Sequence, residues 1–309
     1  MKTITKLSLI LLGLSSTINA FELEYGSGDF SMEGGFLGLT GEISTDVSTY
    51  SLVDRHTNMM SNIYYGYDLT WYDSKVLRQA QHTYNNFASD FNSFLPTNSP
   101  ATIPEMEYRM KGLDVNFQLG YDVIHKNEDN FLGVGVLLGI SMPWIDATKS
   151  DDSTPSLGFI LDHIDEIKDA KDMFDDSKTE ISTYKIGPAI NLQKSLTKNI
   201  SVYGTATYAY QTGKIKNDYA HSDFSVDGTF QEYNLGLYFT PFTEQYKWGW
   251  FTLSPRIYAT LGYKYSKWDM GKMAIDISGT EISSEMLDMF KMKFGMETSI
   301  GYFGVGYSF

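Results

Sequence analysis

The sequence predicts an all-β fold, a transmembrane antiparallel β-barrel of about ten strands. Stretches of about 10–16 residues alternate between apolar and polar side chains, and a tilted strand needs only about 9–11 residues to cross a bilayer. The connections between these stretches alternate between short and long. Beyond the first 20 residues, no apolar run approaches the ~18 residues that a membrane helix requires. The membrane-crossing elements are therefore predicted to be strands.

The strand count follows from this alternation. Counted back from the C-terminus, the predicted strands cover residues 291–309, 250–266, 229–242, 199–213, 180–194, 131–144, 106–124 and 60–72. Residues 30–40 and 46–53 supply two more, which gives ten. The alternation of apolar and polar residues over 37–53 also fits one long strand, so a barrel of eight strands is an alternative. A hairpin hidden near the C-terminus would give about twelve, because these barrels have even strand numbers.

The lengths of the connections predict which end of the barrel faces outward. Short links are expected at 125–130, 195–199 and 243–248, and long links at 73–105, 146–180, 214–228 and 267–290. Membrane barrels have short periplasmic turns and long outer loops. The strands that enter the long links end in aromatic residues, which predicts an interface belt. Its predicted members are Trp71, Trp144, Tyr210 and Trp268, with Trp248 and Trp250 marking the opposite interface.

The N-terminus has the pattern of a cleavable secretory signal. Lys2 and Lys6 precede an apolar stretch over residues 7–14, and small or polar residues lead to Ala20. A short core helix is the alternative interpretation of this apolar stretch. The predicted organisation is a signal peptide over residues 1–20 and a single barrel domain over residues 21–309.

The last residues, GYFGVGYSF, place large side chains on one face with small residues between them. These are Phe303, Val305, Tyr307 and Phe309. The segment resembles the terminal strand of Gram-negative outer-membrane β-barrel proteins. The resemblance implies an outer-membrane location, recognition of this strand by the barrel-insertion machinery, and closure of the barrel against the first strand. It also implies periplasmic chaperones, outer-membrane lipid and lipopolysaccharide as partners.

The composition excludes several functions. The chain has 24 Lys and Arg against 38 Asp and Glu, a net charge of −14. Nucleic-acid binding needs a basic face, so no nucleic-acid partner is expected. The chain has no Cys, which excludes disulfides, thiolate metal sites and Cys nucleophiles.

Two segments follow a helical period instead. Apolar residues recur at spacings of three and four positions over residues 74–94 and 156–176. This spacing predicts amphipathic helices in two outer loops. They are expected to pack over the rim, or alternatively to form a lid or plug. The second segment is acidic on its other face. Carboxylates suit divalent cations, but the spacing is not that of an EF-hand, so no metal site is predicted.

Motifs for catalysis are sparse. The chain has five His residues and neither a GxSxG elbow nor an HExxH motif. His221 and Asp223 lie two residues apart in a predicted outer loop, which is faintly similar to omptin-type barrel proteases. The residue order and flanking motifs differ from that family, so no catalytic role is transferred. The expectation is a protein that is not an enzyme, with no catalytic, cofactor or metal residues.

Charged residues on the polar faces of the strands are the candidate lumen-lining set. They are Asp68, Asp114, Lys185, Glu232, Arg256, Lys264 and Glu297. Side chains just fill a barrel of about eight strands, whereas about sixteen leave an aqueous channel. The leading prediction is a narrow pore for small solutes or ions. The alternative is a closed barrel that acts through its outer loops as an adhesin, ligand-binding or envelope-stabilising protein, and a loop-borne hydrolase is third.

Overall fold

The computed structural model describes most of the chain beyond the predicted signal segment. The described ranges are residues 20–36, 39–54, 62–84, 101–124, 130–150, 176–217, 223–242, 244–248, 251–253, 256–277, 280–282 and 293–308. The predicted signal peptide lies outside the described residues except for Ala20, so it stays a prediction.

Ten long strands form one closed antiparallel barrel. They are β1 (Ala20–Phe36), β2 (Leu39–Asp54), β3 (Ile63–Ser74), β4 (Met106–Asp122), β5 (Asn130–Lys149), β6 (Asp176–Ser195), β7 (Ile200–Asn217), β8 (Asp223–Phe239), β9 (Ile257–Ile277) and β10 (Lys293–Ser308). Each strand pairs with the next along the chain, and β10 pairs with β1 from Ala20↔Ser308 to Gly35↔Lys293. The predicted barrel and its ten strands are confirmed.

The first strand begins earlier than predicted. The prediction placed it at residues 30–40, whereas β1 runs from Ala20 to Phe36 and β2 begins at Leu39. Glu22 and Glu24 are buried inside the barrel, while Leu23 and Tyr25 face outward. Charged residues on the inner face gave the N-terminal stretch a polar character, which concealed its period of two.

The outer wall of the barrel is apolar over a broad belt. Side chains that project from it include Leu23, Val136, Ile186, Leu235 and Leu261, and each is about half exposed. A soluble monomer rarely exposes a contiguous apolar patch larger than a few hundred Å². Lipid is the surrounding that such a belt fits. Among the described residues, no helix is long and apolar enough to span a membrane.

The prediction of a helix over residues 74–94 is wrong for residues 74–84, the part of this range that the structure describes. Leu77–Gln79 is a short strand that pairs with β4, and His82–Tyr84 pairs with Ala101–Ile103. The open edge of β4 beyond β3 supplies backbone partners, and these outweigh the helical spacing of the apolar residues. Residues 85–94, and the helix predicted over 156–176 up to residue 175, lie outside the described residues.

The connections alternate less regularly than predicted. The link predicted over 214–228 shrinks to residues 218–222, because β7 and β8 continue to Asn217 and from Asp223. The link predicted as short around 243–248 instead contains a hairpin of Tyr246–Trp248 with Phe251–Leu253. Two ends can still be distinguished: the terminus end, which holds Ala20 and Ser308, and the far end, where the longest connections emerge.

Candidate functional site

The barrel interior is filled in three layers, and a buried ion pair lies in the middle one. Lys185 Nζ on β6 donates to Asp114 Oδ1 on β4 at 2.7 Å, and the two side chains are 0% and 2% exposed. Asn116 Nδ2 donates to the other oxygen of Asp114 at 2.9 Å. The Lys185 ammonium also lies 3.9 Å from the ring centre of Phe230. Charge, hydrogen bonds and a cation–π contact together stabilise the buried lysine.

A second charged group in the same layer bridges the barrel. Lys264 on β9 donates to Asp68 on β3 and lies 3.9 Å from Glu232 Oε2 on β8. Thr70 Oγ1 donates to Asp68 at 2.6 Å, and Ser266 Oγ donates to Glu232 at 3.2 Å. Because β3 and β9 are not neighbours in the barrel, the contact between Lys264 and Asp68 crosses the interior.

An apolar layer lies between the charges and the far end. Trp268 is buried there against Phe230 and Tyr72, with ring centres 5.3 Å and 6.3 Å apart. Its indole Nε1 donates to Ser141 Oγ on β5 at 2.9 Å, and Ser141 donates to Asp114. Other buried members of this layer are Phe30, Met110, Ile145, Ile181, Ile215, Val226, Met270 and Met296.

This position corrects the prediction that Trp268 anchors the barrel at the membrane interface. Trp268 has the same parity along β9 as Lys264, and both side chains therefore face inward. Trp268 was predicted to be an interface residue because it lies next to a long link. The alternation of side chains along β9, not the nearby link, determines the direction in which it points.

The third layer is polar and lies toward the terminus end. Tyr203 on β7 and Tyr302 on β10 share a hydrogen bond of 2.5 Å, and Tyr302 donates to Asn234 at 2.6 Å. Asn191 Nδ2 on β6 donates to Gln118 Oε1 at 2.6 Å and to the Tyr64 hydroxyl on β3 at 3.0 Å. A cavity of about 90 Å³ lies among these residues. It is large enough for a few water molecules.

The structure brings five of the seven candidate lumen residues together, namely Asp68, Asp114, Lys185, Glu232 and Lys264. The other two lie apart from this group, and Glu297 was predicted on the wrong face. Arg256 is exposed at the turn before β9. Glu297 is on the outer wall, where Tyr265 donates to it at 2.9 Å and Lys267 lies at 3.9 Å. Glu297 shares its parity with Phe303 and Val305, which fixes its outward direction.

Sequence reasoning missed the neutral residues that complete the interior. Tyr64, Tyr203, Tyr302 and Ser141 bridge strands that are not neighbours, yet they carry no charge and were not singled out. Their parity along the strands marks them as inward-facing, so the signal was present in the sequence. Which inward residues meet across the barrel depends on strand tilt and stagger, which the sequence does not give.

A ring of aromatic side chains surrounds the outer wall nearer the far end. Trp71 and Trp144 pack edge to face at 5.3 Å, and Tyr25 contacts Tyr50 at 5.5 Å. Other outward members of this ring are Tyr184, Tyr210, Tyr233 and Tyr265. Trp71, Trp144 and Tyr210 therefore lie on the outer face, as an interface belt requires. The side chains of Trp248, Trp250 and Phe309 lie outside the described residues, while Phe303 and Val305 project from the outer wall.

Charged pairs occupy the wall beyond the aromatic ring. Arg109 donates two hydrogen bonds to Asp73, from Nε at 3.0 Å and from Nη2 at 2.9 Å. Lys75 Nζ lies 2.6 Å from Asp46 Oδ2. The hydrogen bond to Asp46 raises the pKa of the exposed Lys75 ammonium, which keeps that charge in place at alkaline pH.

The structure does not describe the side chains of the two candidate catalytic residues, His221 and Asp223. His221 lies outside the described residues, and Asp223 is described only as the first backbone position of β8. Within the described ranges, no group of three or more His, Asp or Glu side chains could hold a metal ion.

Comparisons with known proteins give a fold but no family. No family model matches the chain, and no curated protein matches it. Among solved structures, the outer membrane protease OmpT from Escherichia coli is similar over 95% of this chain and 98% of its own, with a TM-score of 0.50 and 9% identity. The chain thus has the fold of Gram-negative outer-membrane β-barrel proteins.

Two further structures overlap most of the chain with lower scores. The translocator domain of the autotransporter NalP from Neisseria meningitidis covers 100% of this chain and 97% of its own, with a TM-score of 0.35 and 9% identity. A major outer membrane protein from Thermus thermophilus covers 94% and 98%, with a TM-score of 0.33 and 10% identity.

The likeness to OmpT corrects one prediction. The sequence was interpreted as that of a protein that is not an enzyme, because no catalytic motif was found. A protease has the same fold, so that exclusion is wrong. Barrels of this kind include enzymes and proteins that are not enzymes, and fold alone does not decide between them.

Proposed function

We propose that this chain is an outer-membrane β-barrel whose interior is closed by its own side chains and whose function is carried by its far end. One observation carries the proposal: side chains from strands that are not neighbours meet across the interior in each of the three layers. Two cavities lie between these layers in the described part of the barrel, and their volumes are only about 90 and 20 Å³.

The outer wall supports placement in a membrane. Along β9, the outward residues run from Ile257 through Leu261 to Tyr265 before charge appears at Lys267. At ~3.4 Å per residue and a tilt near 40°, this stretch spans about 20–25 Å, which matches the apolar band of outer-membrane barrels. In this proposal the terminus end faces the periplasm and the far end faces outward. The signal peptide and insertion machinery would deliver the chain.

The filled interior favours a closed barrel over the narrow pore that led the sequence predictions. A conducting pore needs a continuous polar path, whereas the apolar layer around Trp268, Phe230 and Met270 separates the charged layer from the far end. The bridging contacts are also shielded from solvent and hydrogen-bonded, and removing them would leave unpaired charges. The five charged groups of this layer act as internal cross-links between strands.

In this proposal, the far end of the barrel extends beyond the surface of the bilayer. β9 continues from Tyr265 to Ile277 and β1 from Tyr25 to Phe36, beyond the aromatic ring in both cases. At ~3.4 Å per residue and a 40° tilt, these extensions rise about 30 Å above the membrane. The longest connections begin from this raised rim. We assign ligand binding, adhesion or envelope contact to it, and hydrolysis there stays an open alternative.

A flux measurement tests whether the barrel is closed. The mature chain is refolded into liposomes and swelling is recorded in isotonic solutions of a small sugar. The rate should equal that of protein-free liposomes, while liposomes with an open porin serve as the positive control. Swelling faster than the protein-free rate overturns the proposal.

Cysteine labelling locates the closure. The chain has no Cys, so single substitutions report cleanly. Ala147, beyond Ile145 toward the far end, and Gln193, toward the terminus end, are partly exposed inward positions on the two sides of the apolar layer. With an impermeant maleimide outside proteoliposomes of known orientation, Ala147→Cys and Gln193→Cys should react from opposite sides only. Reaction of either site from both sides would overturn a closed interior.

A separate readout addresses the role of the far end. The intact chain and a variant with residues 151–175 replaced by a short Gly-Ser linker are compared for binding to a glycan and peptide array. Binding that is lost in the variant supports the proposal. Cleavage of array peptides that is lost in His221→Ala would replace binding by hydrolysis, and equal signals from both proteins would overturn the assignment.

A further inference from the structure

The cavity of about 90 Å³ in the polar layer has a partly exposed end and a buried end. Gln193 and Tyr238 line it toward the terminus end and are partly exposed, whereas Glu232 lines its other end and is only 3% exposed. Beyond Glu232, the contact of Lys264 with Asp68 crosses the barrel and closes the cavity in that direction. The cavity is therefore a pocket that faces the terminus end.

The buried end of this pocket contains a carboxylate oxygen that the fold does not use. Ser266 donates to Glu232 Oε2 at 3.2 Å, and Lys264 Nζ lies 3.9 Å from the same oxygen. Among the described residues, Glu232 Oε1 accepts no hydrogen bond, although the residue is buried and lines the cavity. A buried carboxylate oxygen without a donor is costly, so its position indicates that a molecule in the cavity donates to it.

Two amide groups on the cavity wall have donors to spare. Asn234 lies two positions after Glu232 on the same face of β8, and its Oδ1 accepts from Tyr302 at 2.6 Å. Gln118 Oε1 on β4 accepts from Asn191 at 2.6 Å. Within the described ranges, neither Asn234 Nδ2 nor Gln118 Nε2 has a hydrogen-bond partner. The wall thus presents two donors close to the unused acceptor of Glu232.

This combination suits a ligand with several hydroxyl groups. A hydroxyl both donates and accepts, so one polyol can bind the carboxylate and the two amides together. An ammonium ion would bind Glu232 but leave both amide donors without acceptors. An anion would be repelled by Asp68 and Glu232, since no Lys, Arg or His is among the described residues that line the cavity. The rings of Phe131 and Tyr238 supply an apolar surface for the carbon chain.

The volume of the cavity limits the size of this ligand. One water molecule needs about 10–15 Å³ of such space, so about 90 Å³ accommodates roughly six to eight non-hydrogen atoms. Glycerol and erythritol fall in this range, whereas a hexose exceeds it. A short, open-chain polyol therefore fits the pocket better than a sugar ring does.

We propose that this pocket is a binding site for a small polyol such as glycerol or erythritol. Glu232 accepts a hydrogen bond from one hydroxyl group, and Gln118 and Asn234 donate to others. In the membrane orientation given above, the site takes its ligand from the periplasm. That placement rests on the proposed function, whereas binding to the pocket does not.

Binding is measured by saturation-transfer NMR with the refolded mature chain in micelles of a detergent without sugar groups. The probe is erythritol, compared with 1,4-butanediol, which lacks the two inner hydroxyls, and with 1,4-diaminobutane, a cation of the same chain length. Erythritol should bind at least about fivefold more tightly than either comparison compound, because only erythritol can bind all three groups. Equal binding of erythritol and butanediol overturns the proposal, as does tighter binding of the diamine.

Variants that retain the contacts of the fold locate the site. Gln118→Glu keeps the oxygen that accepts from Asn191 but replaces the spare donor with an acceptor. Glu232→Gln keeps the oxygen that accepts from Ser266 and removes the charge. Each should weaken erythritol binding by about five- to tenfold. Gln231→Glu, at an outward position of β8, is the matched control for Gln118→Glu and should bind normally.

Heat-modifiable gel mobility establishes folding of each variant. Should Glu232→Gln not fold, Asn234→Asp retains the acceptor for Tyr302, loses the spare donor and should still weaken binding. Equal affinity of the cavity variants and the parent chain would overturn the site. Liposome swelling in erythritol reports on closure of the barrel and not on this pocket. Its outcome therefore separates a failure of the site from a failure of the closed-barrel proposal.

Discussion

Lys185 and Asp114 form the most buried ion pair in the described part of the barrel. Lys185→Met should destabilise the barrel by about 3–5 kcal/mol, because it leaves the Asp114 carboxylate buried without its counter-charge. Urea unfolding in lipid vesicles measures this loss. Adding Asp114→Leu to Lys185→Met should restore much of the stability, since no buried charge then remains unpaired.

The pair of Lys267 with Glu297 on the outer wall is the matched control. Its atoms lie 3.9 Å apart, and the two side chains are 46% and 43% exposed. Solvent screens such a pair, so Lys267→Gln should change stability by less than about 1 kcal/mol. Equal losses for the two lysine substitutions would contradict a role of the interior pair as a cross-link.

Lys75 supplies a prediction about pH. The hydrogen bond to Asp46 raises the pKa of Lys75 above its ordinary value, so the contact stabilises the fold below that ordinary value. This contribution is lost as pH rises through the raised pKa. Asp46→Asn should lower the pKa of Lys75 in an NMR titration of its side chain. An unchanged pKa would show that the ion pair does not persist in solution.

Parity along the strands explains which residues could be placed from the sequence. Asp68, Asp114 and Lys264 alternate with apolar neighbours and face inward, as predicted. Glu297 was assigned to the lumen because it is charged, although it has the parity of the outward-facing Phe303 on β10. Trp268 was assigned to the interface because it lies beside a link, although it has the parity of the inward-facing Lys264 on β9. Applied consistently, a period of two would have placed both correctly.

At the scale of elements, β10 is the strand whose lipid face is most directly testable. Val305 projects from the outer wall within the apolar belt, and its strand partner is Leu23. Val305→Arg should destabilise the inserted barrel by about 2 kcal/mol or more, because a charge is then held in hydrocarbon. The fraction of protein that folds into vesicles measures the effect.

Ser299→Arg on the same strand and face provides the control. Ser299 pairs with Tyr265 at the level of the aromatic ring, where a charge costs only about 0–1 kcal/mol. If both substitutions reduced folding equally, the apolar belt would not be the lipid-facing surface.

Elements differed in how well the sequence specified them. Long central strands were recognised from an apolar residue at every second position: in β5, predicted over 131–144, this holds from Leu132 to Trp144. β1 was displaced because its inward positions carry Glu22 and Glu24. Leu77–Gln79 and His82–Tyr84 pair as strands although apolar residues in this region recur at helical spacing. Tertiary pairing, with β4 in the case of Leu77–Gln79, outweighs local propensity.

For the whole molecule, the strand number was predictable and the state of the interior was not. An even count of ten follows from the alternating faces, whereas the fit of side chains across the barrel depends on tilt and stagger. Asp68 on β3 and Lys264 on β9 meet across the interior although 196 positions separate them. Charges that suggested a lined pore are instead paired with one another, which changes the proposed function from conduction to closure.

Single-channel recording of the refolded mature chain in a planar bilayer tests this central claim most directly. A conducting porin in the same bilayer is the control for insertion and sensitivity. The account predicts no discrete openings over the voltage range in which the membrane is stable, because the apolar layer around Trp268 and the charged layer beneath it leave no continuous aqueous path. Regular, ion-selective openings from the unmodified chain would contradict it and restore a pore as the function.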